Sequence, residues 1–128
     1  MKPKRIQLRR TKGWRMPAGT IKCDRSSPWG NQYKVDGSPR RYAPRWEVFL
    51  CTDGRFAGPP VGYRNTKREA IAFAVEKHRE ALLAPEGELM RRRIRAELAG
   101  RDLACWCGLD HPCHVDTVLE IANAPVAA

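Results

Sequence analysis

The chain has 128 residues, 42% of them hydrophobic and 30% charged, with a formal net charge of +10. This composition excludes a disordered chain, the length bounds one domain with a modest core, and no apolar run approaches the roughly 18 residues of a membrane span. The charge is lopsided: residues 1–68 hold 17 Lys/Arg against 4 Asp/Glu, residues 69–128 hold 7 against 10, so a field that attracts phosphates belongs to the first half.

In chain order, Arg5 to Arg9 alternates polar and apolar, the pattern of a half-buried strand with Ile6 and Leu8 inward. Thr11 to Gly19 breaks that pattern with two glycines and a proline and predicts a loop carrying Trp14 between Lys12 and Arg15. Thr20 to Cys23 is a second short strand, and Asp24 to Asn31 a turn-rich segment bearing Arg25, Trp29 and Asn31. Val35 to Pro44 reads as an irregular connection. Trp46 to Cys51 is a strand, Thr52-Asp-Gly54 a hairpin turn, and Arg55 to Tyr63 a returning strand that Gly58-Pro-Pro60 weakens and confines to an edge.

Thr66-Lys-Arg-Glu69 is a capping box. The helix behind it buries Ala70, Ile71, Ala74, Val75 and Leu82, carries His78 as a packed or surface histidine, and is interrupted by Pro85 and Gly87. A second helix, Glu88 to Ala99, has Met90, Ile94 and Leu98 on one stripe, Arg91, Arg92, Arg93 and Arg95 on a solvated face, and Gly100 as a left-handed cap. Asp102 to Cys107 is a short strand, and Val115, Val118, Leu119 and Ala122 mark one face of a last helix. The expected architecture is α/β or α+β: a small mixed sheet with a hairpin and about three helices. Residues 1–124 form one domain, and residues 125–128 are a frayed tail.

Two clusters can carry chemistry. Cys105, Cys107, Cys113 and His114 offer three thiols and an imidazole, a possible tetrahedral zinc set and the one cofactor the sequence suggests. Against zinc stands the spacing, because adjacent ligands such as Cys113 and His114 must diverge sharply to reach one ion. The same residues support a reactive thiol: Cys113 falls where a helix begins, a position that favours thiolate, with His111 or His114 as base. That helix end can also hold a phosphate, and a strand cysteine can simply be a small buried residue. The second cluster is the Trp/Arg loops, in which Arg10, Trp14, Arg15, Arg25, Ser27, Trp29 and Asn31 combine rings that stack on bases with groups that meet phosphates. Tryptophans in small domains are also common core anchors, the reading preferred for Trp46.

Arg10 to Pro17, Arg25 to Asn31 and Asp102 to His114 together resemble the domain of unknown function 4326, a family of small phage and bacterial proteins. The family usually has proline where this chain has Gln32, and often at Gly108. The resemblance implies that the two clusters belong to one module; it brings no activity with it. The expected function is binding of a nucleotide or nucleic acid, with no membrane partner. The alternatives are an enzyme using Cys113 or a catalytic metal, and a structural zinc module. Five cysteines without an apolar signal region predict reduced thiols and a cytoplasmic protein.

Overall fold

Seven short strands and three helices make up the computed structural model, which describes residues 3–36, 46–52 and 55–124. The strands are β1 (Arg5–Gln7), β2 (Ile21–Lys22), β3 (Tyr33–Asp36), β4 (Trp46–Thr52), β5 (Arg55–Phe56), β6 (Gly62–Arg64) and β7 (Leu103–Cys105). The helices are α1 (Lys67–Leu83), α2 (Glu88–Leu98) and α3 (His114–Asn123), with a 3-10 turn at Pro85–Gly87 between the first two. This is the small α+β domain with three helices that the sequence predicts. The strands divide into two sheets rather than lying in one mixed sheet.

In the first sheet β7 is central and parallel to both neighbours, β1 on one side and β2 on the other, with Gln7 opposite Cys105 and Lys22 opposite Ala104. Leu103, Ala104 and Cys105 are all buried, as expected of a parallel strand covered on both faces. The second sheet is antiparallel and built on β4, which pairs with β3 on one side and with β5 and β6 on the other. The single returning strand expected over 55–63 is split in two at Gly58-Pro-Pro60. Proline has no amide to donate to the ladder, and Gly58 takes φ +95°, outside the range of strand residues. Tyr33 to Asp36, partly assigned to an irregular connection, is a strand facing β4. The expected turn at Asp53–Gly54, most of the expected connection and the expected tail lie outside the described residues.

Thr66 caps α1 by accepting from the Glu69 amide at 3.2 Å, and its hydroxyl donates to the Glu69 carboxylate at 2.8 Å. Gly100 takes φ +76° just beyond α2, as the sequence predicts, and its amide donates to the Asn123 side chain at 2.9 Å. The larger core unites Ile94 and Leu98 of α2, Leu103 of β7, and Val115, Val118 and Ile121 of α3 with Cys23 and Trp29. Each fully buried aliphatic side chain contributes roughly 1.5–3 kcal/mol. A smaller core, Val48, Ala70 and Ala74, seats α1 on the antiparallel sheet. So α1 links the two cores, Leu82 belonging to the larger and Ala70 and Ala74 to the smaller, and α3 follows the end of β7. Among the described residues no helix is long and apolar enough to cross a membrane.

Candidate functional site

All three parallel strands end at the same edge. Beyond β1 come Leu8 to Arg10, beyond β2 come Cys23 to Ser26, and beyond β7 come Trp106 and Cys107. The carboxyl ends of parallel strands are where open sheets of this kind bind ligands, because loops and helix N-termini converge there. A pocket of about 530 Å³ opens at this edge, lined by Asp24, Arg25, Asn31, Trp106 and the cysteines and histidine of the C-terminal cluster, among others.

Cys105, Cys113 and His114 are each buried, and their donor atoms lie within 4.8 Å of one another, a group that can hold a metal ion. Half-buried Cys107 stands next to this group of three rather than within it, its sulfur 3.9 Å from that of Cys105. This is far beyond the roughly 2.05 Å of a disulfide, and all five cysteines are free thiols. Cys113 is the N-cap of α3, with extended backbone at φ −148° and ψ 141°, and its side chain caps no helix amide. His114 is the first helical residue. The switch from extended to helical backbone between them turns both side chains inward, bringing the Cys113 sulfur to 3.8 Å from His114 Nδ1. The crowding expected of adjacent ligands is thereby relieved. His114 Nε2 lies 2.6 Å from the Cys23 carbonyl oxygen. A carbonyl only accepts, so Nε2 is the donor in this contact, and Nδ1 is the ring nitrogen turned toward the Cys113 sulfur.

The thiols share protons unequally. Hydrogen bonding from Cys107, then from Cys113, holds Cys105 far below the ordinary thiol range. Hydrogen bonding with Cys105, then with Cys113, and burial after them drive Cys107 up. Cys105 works against ionisation of Cys113, but Cys107 and the His114 ring bring it below its ordinary value. Cys23 is pushed up to about 12, first by burial and then by the charges of Cys105 and Cys113, which keeps it a neutral thiol behind the cluster.

The Trp/Arg loops are arranged differently from one another. Trp29 is 7% exposed and belongs to the larger core, with the Arg93 guanidinium 4.9 Å from its ring centroid. Asn31 is buried, donating to the Ala74 carbonyl at 3.2 Å and accepting from the Tyr33 amide at 2.8 Å. Arg25 donates to the carbonyls of Asn31 and Tyr33, and the Ser27 hydroxyl donates to the Asp24 carbonyl. Arg25 and Asn31 line the pocket, whereas Trp14, Arg15, Ser27 and Trp29 are not among its lining residues. Arg10 reaches the site by a route its loop does not reveal, lying 4.8 Å from the ring centroid of Trp106.

Trp106 is the aromatic that the sequence reading passed over. It is 41% exposed on the pocket wall, has Lys22 Nζ 5.9 Å from its centroid, and donates from its indole N–H to Asp24 at 3.0 Å. Burial works to raise the Asp24 carboxyl, but Ser26, the Trp106 indole and Lys22 hold it below its ordinary value. The available signal was position: Trp106 falls between two clustered cysteines just beyond a buried strand.

Residues 6–124 match the model of a protein family described as Domain of unknown function (DUF4326). No curated protein and no solved structure matches the chain.

Proposed function

The chain belongs to the DUF4326 family, and from its site we propose that it is a zinc-stapled module whose adjoining pocket takes a nucleotide or nucleic acid. The observation that carries the zinc reading is the donor spacing. An ion about 2.3 Å from each sulfur and 2.0–2.1 Å from nitrogen sets tetrahedral neighbours roughly 3.5–3.8 Å apart. Two contacts of the cluster come close to this, 3.9 Å for Cys105–Cys107 and 3.8 Å for Cys113–His114 Nδ1, and Cys105, Cys113 and His114 all lie within 4.8 Å of one another. Three soft thiolates and an imidazole select zinc among abundant divalent ions. The Cys23 carbonyl supplies the outer hydrogen bond that orients a histidine ligand. A nucleophilic role for Cys113 is less well supported, because its side chain is 1% exposed and faces other thiols.

The test is metal analysis of protein purified without added zinc. About one zinc per chain is expected, lost in His114→Ala and in Cys113→Ser. Protein that holds less than a tenth of an equivalent after zinc addition and desalting refutes the reading.

Support for the ligand comes from Trp106, an exposed indole flanked by the cations of Arg10 and Lys22. A ring between positive groups suits a base with its phosphate. Binding to a panel of nucleotides and single-stranded oligonucleotides at low salt should weaken at least tenfold in Trp106→Ala. It should be abolished when Arg10, Arg15 and Arg25 are replaced together. Wild-type protein that binds nothing in the panel sinks this half of the proposal and leaves the zinc half standing.

A further inference from the structure

Arg5 opens β1, at the edge of the parallel sheet next to β7. Its side chain is 9% exposed. Nη2 donates to the carbonyl oxygens of Leu109 at 2.8 Å and His111 at 3.1 Å, and Nε lies 3.4 Å from the Asp116 carboxylate. Those contacts use three of the five N–H groups of a guanidinium. The remaining two, on Nη1, are buried without a partner. Leaving a charged donor buried and unsatisfied is costly, so the surroundings must supply an acceptor or a counter-charge. Asp116 supplies part of it, weakened because its carboxylate is 58% exposed and shares its charge with water. Burial works against the guanidinium's charge. The Cys113 sulfur favours it most, followed by Asp116, with Cys107 behind.

We infer that Arg5 is a positioning residue for the metal: it provides the counter-charge of the thiolate cluster and fixes the loop that carries two of the ligands. The inference rests on the zinc reading above. Two positive charges on zinc against three thiolates leave one net negative charge in a buried site. A single guanidinium beside it makes the whole neutral, and Nη1 gains a sulfur acceptor made strong by its negative charge. The carbonyls held by Nη2 belong to Leu109 and His111, between Cys107 and Cys113. The same side chain therefore sets the separation of those ligands. Lysine can supply the charge but not the planar fork that does both.

The experiment compares wild type, Arg5→Gln and Arg5→Lys, each loaded with zinc and, separately, with cobalt(II) as a coloured substitute. Arg5→Gln should bind zinc about ten- to a hundredfold more weakly in chelator competition, the range typical for loss of an outer-shell partner. Without the counter-charge the thiolates take up protons more readily, so the pH midpoint of metal release should move upward. Arg5→Lys should restore most of that midpoint while its thiolate-to-cobalt band still shifts to longer wavelength, since a hydrogen bond to sulfur has been lost. A residue that only held the loop would not recover the midpoint in Arg5→Lys, which restores the charge without the fork. Unchanged affinity and midpoint in Arg5→Gln overturn the inference. If that variant does not fold, an unchanged cobalt band in Arg5→Lys does the same. Wild type that takes up no zinc overturns the zinc reading itself, an outcome visible before any variant is made.

Discussion

Asn31 separates a structural from a ligand-binding account of the Trp-Gly-Asn turn. Its side chain is 7% exposed and spans two elements, donating to Ala74 of α1 and accepting from the amide of Tyr33 at the start of β3. Asn31→Ala removes both bonds, each worth about 1 kcal/mol net. It also strands the amide of half-buried Tyr33, with a desolvation penalty of roughly 1 kcal/mol at the lower end of the usual range. The expected loss is about 2–3 kcal/mol, a large share of the total stability of a domain this size. Urea unfolding reads it as a lower midpoint at unchanged slope. Asn31→Asp should be no better, because it keeps the acceptor for Tyr33 but sets an oxygen against the Ala74 carbonyl and buries a charge. A loss below about 0.5 kcal/mol in Asn31→Ala, with ligand binding abolished, would refute the latch and make Asn31 a recognition residue.

Cys51, half-buried on β4 and paired with Phe56, should be dispensable: Cys51→Ser keeps about one zinc per chain by metal analysis. A Cβ on Gly62 would lie 2.6 Å from the Phe73 ring, which already carries Arg64 at 4.1 Å from its centroid. Gly62→Ala should therefore lose about 1–3 kcal/mol in a thermal melt. The Asp24 carboxyl is held below its ordinary value, so its contribution to stability is complete above the unfolded pKa of about 3.9 and is lost as pH falls through the lower folded one. Asp24→Asn should be destabilised at pH 5, by an amount that shrinks toward zero below that folded midpoint. Trp106 lies between two proposed ligands, so chelating the metal should weaken nucleotide binding. By linkage, nucleotide should tighten zinc binding by the same factor.

The elements with strong local signals were readable before folding. The Thr66–Glu69 cap, the interrupted helix pair, Gly100 and the buried face of α3 each depend on residues within a few positions of one another. What escaped depends on partners far along the chain. Strand β3 is four residues beside a proline- and arginine-rich stretch, and only pairing with β4 defines it. The side chains of Trp29 and Asn31 look like recognition groups until α1 and α2 are placed over them. Arg5 alternates with inward Ile6 and so reads as solvent-facing. A parallel sheet is covered on both faces, however, and the loop before α3 covers the face Arg5 uses. Adjacent Cys113 and His114 read as ligands that must diverge sharply to reach one ion, because the sequence alone does not show where the backbone changes. The N-cap is the place where backbone conformation changes within one residue.

The topology also resolves why charge and chemistry lie at opposite ends of the chain. The basic half contributes β1 and β2, the acidic half contributes β7, and the sheet order places β7 between them. Arg5 at the start of β1, Arg10 beyond its end, and Lys22 on β2 are thereby brought to the C-terminal cluster and to Trp106, about a hundred positions away in sequence. A zinc site built on β7 alone would carry a net negative charge and repel an anionic ligand. Flanked by those two strands, the proposed site would be neutralised on one side by Arg5, with Arg10 and Lys22 beside Trp106 on the other. On this reading Arg5, Arg10 and Lys22, three of the 24 basic residues, set a positive field on the carboxyl ends of three parallel strands.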